Sequence, residues 1–262
     1  KVPVLRGPDD IRNLPDYFGM DKKKEELNEY DCLIFAEIVD ATLLSVSEII
    51  EKAKKYKKDG ANVIDLGCMP DTKFDHLEET IKKLKSLGFL VSVDSANDEE
   101  LFRGGKAGAD YLLSLSEKNA FISDEVSSIP VLIPAKQGDI ESLERVINSF
   151  IIKKKKFLAD PILDPIHYGF VESLNRYRKI RQKYPKIDIL MGTGNLTELT
   201  DSDSAGVNAI LMGIVSELSI KGVLVVQVGN HCRNSIKETD MARKLMFFAK
   251  KNRRLPMGID DN

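Results

Sequence analysis

The chain has no tryptophan, three cysteines, three histidines and three glutamines in 262 residues. Each scarcity excludes something. Cys32, Cys68 and Cys232 make neither a disulfide framework nor a CxxC pair, which fits a reducing cytoplasm. His76, His167 and His231 show no ligand spacing, so no zinc site is expected. No apolar run approaches the roughly 20 residues that cross a bilayer. The opening Lys1-Val-Pro-Val has no apolar core of the kind a secretory leader needs. The chain does not begin with methionine, which leaves room for residues upstream. Net charge is −2, which argues against a general nucleic-acid binder. The scarcity of glutamine beside abundant lysine and glutamate resembles the bias of hyperthermophile proteins.

What is present is an alternation. Apolar runs typical of buried parallel strands fall at 32–39, 61–66, 89–94, 110–115, 129–133, 156–160, 187–191 and 223–228. Amphipathic helical patterns fall between most of them, at 45–58, 75–87, 98–108, 139–153, 170–183, 203–220 and 235–251. In the helix over 170–183, Val171, Leu174, Tyr177 and Ile180 are expected to face inward. Eight strands in some 220 residues suit a (β/α)8 TIM barrel of the α/β class with a short N-terminal extension. A doubly wound sheet would need a Gly-rich phosphate turn, and none is evident. The expected division is an extension over 1–29 with a short helix at 21–29, a barrel over 30–252, and a tail or linker over 253–262.

Three strands end in an acid: Asp65 in Ala-Asn-Val-Ile-Asp-Leu-Gly, Asp94 in Leu-Val-Ser-Val-Asp-Ser, and Asp160 in Phe-Leu-Ala-Asp-Pro. In a barrel these ends converge on one face. A strand-ending aspartate often caps the next helix or makes a turn. Three at once point more to a site, where carboxylates accept paired N–H donors from a flat amidine-like edge. Asp160 and Asp164, set beside Pro161 and Pro165, read as a rigid loop. Magnesium stays open there. Lys153–Lys156 reads as a solvated helix end. Cys68 reads as an inert thiol, with nothing beside it in sequence to lower its pKa.

These residues carry a family resemblance. Gly60-Ala-Asn-Val-Ile-Asp65-Leu-Gly67 resembles the GADIIDVGG segment of dihydropteroate synthases, and Val91-Ser-Val-Asp94-Ser95 resembles their ISVDT segment. Ala159-Asp160-Pro161, with Gly169-Phe170 downstream, resembles a stretched DPGxGF. The order and spacing agree over most of residues 31–235. Arg6-Gly7-Pro8, Gly194 to Leu199 and Asp203 to Ala209 resemble segments of archaeal dihydropteroate synthase-related proteins, in which a further domain usually follows the barrel.

The resemblance implies a reduced pterin of the tetrahydromethanopterin type as ligand. Asp94 and Asp160 would bind its ring, Asp65 would support the floor, and Asn119, Asn195 and Gln227 would add polar contacts, with Ser114 and Ser116 competing with Asn119 for the strand-four position. Glu37 falls near the asparagine that synthases place around magnesium and pyrophosphate. The departures lie on the cationic side. The synthase Ser-Thr-Arg-Pro loop reads Cys68-Met-Pro-Asp-Thr-Lys73 here, the Ser-Arg-Lys strand end reads Gly192-Thr-Gly-Asn195, and Arg-x-His reads Gln227-Val-Gly. Lys73, Arg233 and His231 are the substitutes at hand for a pyrophosphate or second-substrate side. The implied activity is transfer of a hydroxymethyl-dihydropterin from its pyrophosphate to an arylamine. The alternatives are binding of a methyl- or methylene-carrying pterin for one-carbon transfer, and a non-catalytic carrier or scaffold. A homodimer is compatible with all of these.

Overall fold

The computed structural model describes residues 4, 6–9, 11, 14–19 and 27–259. Eight parallel strands close into a barrel in chain order: β1 Leu33–Ile38, β2 Val63–Gly67, β3 Leu90–Asp94, β4 Tyr111–Leu115, β5 Ile129–Leu132, β6 Leu158–Ala159, β7 Asp188–Gly192 and β8 Gly222–Val225. β8 pairs back onto β1 through Leu33↔Gly222 and Phe35↔Leu224. The helices are α1 Leu14–Tyr17, α2 Val46–Lys58, α3 Leu77–Ser86, α4 Asp98–Ala107, α5 Ile122–Glu125, α6 Ile140–Ile152, α7 Phe170–Lys183, α8 Gly194–Thr197, α9 Ser204–Glu217 and α10 Ser235–Lys251. This is the (β/α)8 barrel expected from the alternation. A single turn, α5, stands in the β4–β5 crossover where the pattern is weakest. The helix expected over 21–29 lies largely outside the described residues, and 27–29 are not helical.

The side-chain period of two sorts the strands into layers. Ile34, Ala36, Ile38, Ile64, Leu66, Val91 and Val93 face the helices. Phe35, Val63, Leu113, Val131, Leu158 and Leu190 meet inside the barrel as a separate apolar plug. The plug fills the middle, so polar inward positions gather at the strands' C-terminal ends. β6 is shorter than the expected 156–160, because Pro161 has no N–H to extend the ladder. The Asp160 N–H still reaches Leu132 O at 2.8 Å, so Asp160 keeps its strand position. On α7, Tyr177 and Ile180 are buried as expected, whereas Val171 in the first turn is exposed, because the core begins one turn later.

The opposite end of the barrel is closed by Arg243 of α10. Its guanidinium is buried, donates to Cys32 O and Asn62 Oδ1 at 2.6 Å, to Gly60 O at 2.9 Å and to Asp240 Oδ1 at 2.6 Å, and stacks 3.7 Å from the Tyr30 ring centroid. Gly60 has φ +111°, and a Cβ there would lie 2.4 Å from Asp240 Cγ, so both its conformation and its space require glycine. Arg243→Ala leaves these acceptors and the carboxylate of a buried pair without their main donor. The expected loss is about 3–5 kcal/mol of stability by urea unfolding.

Candidate functional site

Parity places Glu37 after Phe35, Asp65 after Val63, Asp94 after Ser92 and Asp160 after Leu158, all inward and above the plug. The strand register then sets neighbours. Glu37 pairs with Asp65, Asp65 with Ser92, and Gly67 with Asp94. The glycine is what lets the acids converge. A Cβ at Gly67 would lie 2.7 Å from Glu37 Oε1, so the Glu37 side chain leans across β2 toward β3.

None of the three strand-end acids is a helix N-cap. Those positions are held by residues such as Ser45, Asn97, Asp139 and Asp203. Asp65 is fully buried. Its Oδ1 accepts from Ser92 Oγ at 2.5 Å, and its Oδ2 is buried with no hydrogen-bond partner. Asp94 Oδ1 accepts from Ser114 Oγ at 2.5 Å. Ser114 reaches it from a left-handed conformation, φ +66°, at a register shift between β4 and β5. A bulge that re-aims a side chain is a common device beside a site. Asp160 does make the local turn its type favours, accepting Ile162 N–H at 2.8 Å on Oδ1. The same oxygen takes the buried Tyr177 hydroxyl at 2.5 Å. Arg176, next to Tyr177, fixes that loop by donating to Pro161 O, Ile162 O and Asp164 Oδ2.

The electrostatics are one-sided. Burial, then Asp94 and Glu37, push the Asp65 carboxyl well above the usual range despite Ser92. Burial raises Asp94 against the opposing Ser114 bond. Burial, with Asp94, Asp40 and Glu198, pushes Glu37 up to about 7. Burial pushes Asp160 up to about 6, with the Tyr177 and Ile162 hydrogen bonds holding it down. Among the described residues, no ion pair reaches any of these four acids.

A cavity of about 920 Å³ opens over Glu37, Asp65 and Asp94. Glu37, Asp94, Ser114, Asn119 and Met69 are in its walls, and Lys118 is the lysine or arginine among its described lining residues. Its walls come from the β1–β5 ends, so it sits to one side of the barrel axis. Asp65 lies beneath it, and Asp160, after the neighbouring β6, is outside its described lining. Asn119 accepts Ser116 N–H and donates to Asp98, which fixes it at the rim.

The other expected site residues are placed elsewhere. Asn195 is exposed and donates to Leu163 O at 2.8 Å, tying β7 to the Asp160 loop. Gln227 Oε1 accepts from Ile236 N–H at the start of α10. Lys73 is exposed and paired with Asp75 at 2.8 Å, in a side cavity between the β2 and β3 loops. His231 bonds Thr197 O at 2.9 Å, and Arg233 is exposed on the approach to α10. The three cationic candidates therefore do not meet one another or the acids. Cys68 is half-buried in the cavity wall, and burial and Glu100 push its thiol up, which suits an inert role. Among the described residues, no group of three His, Cys, Asp or Glu is arranged to hold a metal ion, so the magnesium left open by the sequence finds no ready ligand set. Asp164 is engaged by Arg176 and Gln137.

Ser92, Tyr177 and Arg176 are not among the residues expected at the site, whereas Ser114 is one of the three that compete for the strand-four position, and it is the one that bonds Asp94. Ser92 has a signal in the sequence, since it is the inward residue two before Asp94. Tyr177 is read as an apolar face residue, and its hydroxyl finds Asp160 only through the packing of α7 on β6.

Solved structures that superpose on this barrel include dihydropteroate synthases. The Yersinia pestis enzyme with a sulfonamide drug superposes with TM-score 0.64 at 14% identity, over 85% of this chain and 95% of that one. The barrel has the dihydropteroate synthase fold. The same enzyme with a pterine-sulfa conjugate gives 0.62 at 16% identity over 87% and 95%. The 7,8-dihydropteroate synthase of Vibrio fischeri gives 0.61 at 15% over 87% and 95%. In sequence, an uncharacterized protein of Methanocaldococcus jannaschii is 34% identical over 255 residues, 90% of this chain. The chain spans 48% of that relative, about half its length. No protein-family model matches the chain. No helix among the described residues is long and apolar enough to cross a membrane.

Proposed function

We propose that this dihydropteroate synthase-like barrel binds a reduced pterin at its C-terminal mouth and holds it as a one-carbon carrier, rather than condensing it with an arylamine. The observation that carries this reading is the unpaired carboxylate set. Glu37, Asp65 and Asp94 lie together in and beneath a large cavity, and among the described residues no cation is paired to them. Such a floor suits a ring edge rich in N–H donors. Asp94 would take that edge on the cavity side, and Asp160 from the end of β6.

The same floor opposes expulsion of pyrophosphate. Charge developing on a leaving group needs cations or oriented N–H donors. Two like charges ~6 Å apart repel by roughly 3 kcal/mol at an effective dielectric of about 20. Lys73 is paired at the rim, Arg233 is exposed, and His231 is tied to Thr197. We infer a tetrahydromethanopterin-type ligand; the relative in sequence is an uncharacterized protein of an archaeon, Methanocaldococcus jannaschii. We place the binding unit at 30–252 and 253–262 as a tail or linker, in a cytoplasmic protein. The longer relative leaves a second domain as the natural source of a partner for the one-carbon unit.

The experiment is a pair of titrations. A methylated tetrahydropterin should bind one per chain by calorimetry. Hydroxymethyl-dihydropterin pyrophosphate with an arylamine should release no pyrophosphate above the enzyme-free rate. Steady pyrophosphate release would restore the condensation reading.

A further inference from the structure

Glu37 falls near the first-strand asparagine of the synthase pattern, and its surroundings give it a task of its own. It is inward, in register with Asp65, and leans over Gly67 so that its Oε1 occupies the space a Cβ would need. It lines the cavity. Directly behind it, Asp65 is fully buried, with Oδ2 lacking any partner. Two carboxylates on adjacent strands, one with an orphan oxygen and neither paired to a cation among the described residues, are more stable holding a proton than fully ionised. The acids whose charges bear on Glu37 are Asp65 on β2, Asp94 on β3, Asp40 beyond β1 and Glu198 after α8. Lys118 at the rim is the cation of the described lining.

We propose that Glu37 is the proton donor and acceptor of this cavity, passing the proton it shares with the acid cluster to a ring nitrogen of the bound pterin. The proposal rests on the pterin reading of the site. On binding, the Glu37 O–H bond breaks and an N–H bond forms on the ring. The ligand becomes a cation and Glu37 its carboxylate partner. On release the proton returns. No other reactant is needed, and the cation is left facing the acids that lacked one.

The sign of proton exchange tests this. In the free protein burial and the neighbouring acids raise Glu37 to about 7, so its proton is lost as pH rises through neutrality. A complex that carries one proton on the ligand therefore draws protons from the buffer, more at pH 8 than at pH 6. If Glu37 only accepts an N–H from an uncharged ring, it becomes ionised on binding and protons are released instead, more at pH 6 than at pH 8. Calorimetry with a methylated tetrahydropterin in phosphate and in Tris separates the two, since their ionisation heats differ.

Uptake that grows with pH, and is absent in Glu37→Gln, is the expected result. Release, or uptake unchanged in Glu37→Gln, overturns the proposal while leaving pterin binding intact. No binding heat from the parent protein in either buffer overturns the pterin reading and this proposal with it. Should Glu37→Gln fail to fold, the sign measured on the parent protein decides alone.

Discussion

Asp94→Asn should weaken binding of a reduced pterin about 100-fold or more by calorimetry at pH 7.5. Asp94 gives one oxygen to Ser114 and lines the cavity. The substitution exchanges a charged acceptor for an amide. If the amide oxygen keeps the Ser114 bond, the amide nitrogen is set against the ligand's donors. A hydrogen bond to a charged group contributes roughly 1.5–3 kcal/mol, and a donor facing a donor adds its own penalty. About 3 kcal/mol corresponds to a little over 100-fold. Asp160→Asn should behave similarly, because Tyr177 and Ile162 already occupy Oδ1. Tenfold or smaller losses for both would mean that neither acid holds the ring.

The second large effect is on stability, and its direction is unusual. The ligand-free protein should become less stable between about pH 5 and pH 8, and Glu37→Gln should remove much of that decline. Glu37 is held at about 7 in the folded protein, above its ordinary 4.5. Between these values the folded state binds more protons than the unfolded chain, so stability falls as pH rises. The difference corresponds to an upper value of about 3 kcal/mol at pH 8. Asp160, raised to about 6, contributes in the same sense. Guanidinium unfolding at pH 5 and pH 8 measures it. Glu37→Gln should be the more stable protein at pH 8 and nearly equal to the parent at pH 5. A parent whose stability is level or rising over this range would show that these acids are not destabilised by folding. Together the two effects describe a site kept at a cost in stability until a ligand relieves it.

Much of this is legible in the sequence because it depends on period and order. The strands at 32–39, 61–66 and 89–94 announce themselves by apolar runs, and a period of two from Val63 and Ser92 puts Asp65 and Asp94 inside. The companionship of Glu37 with those acids depends on the β1–β2 register and on the missing side chain at Gly67, which no periodicity carries. Asp160 shows in the sequence as an inward strand end, but its anchoring by Tyr177 and Arg176 depends on how α7 packs. The rim residues were least legible. Lys73, Arg233 and His231 lie on loops after different strands. Chemistry alone suggested that they meet, whereas hydrogen bonds to Asp75 and Thr197 direct Lys73 and His231 elsewhere.

The most direct measurement is a crystal structure of the protein soaked with a reduced pterin. The ring should lie in the cavity over Asp65, with its amino-pyrimidine edge within hydrogen-bond distance of Asp94 and Glu37 within reach of a ring nitrogen. A ring bound elsewhere, or an empty cavity at saturating pterin, would contradict that placement.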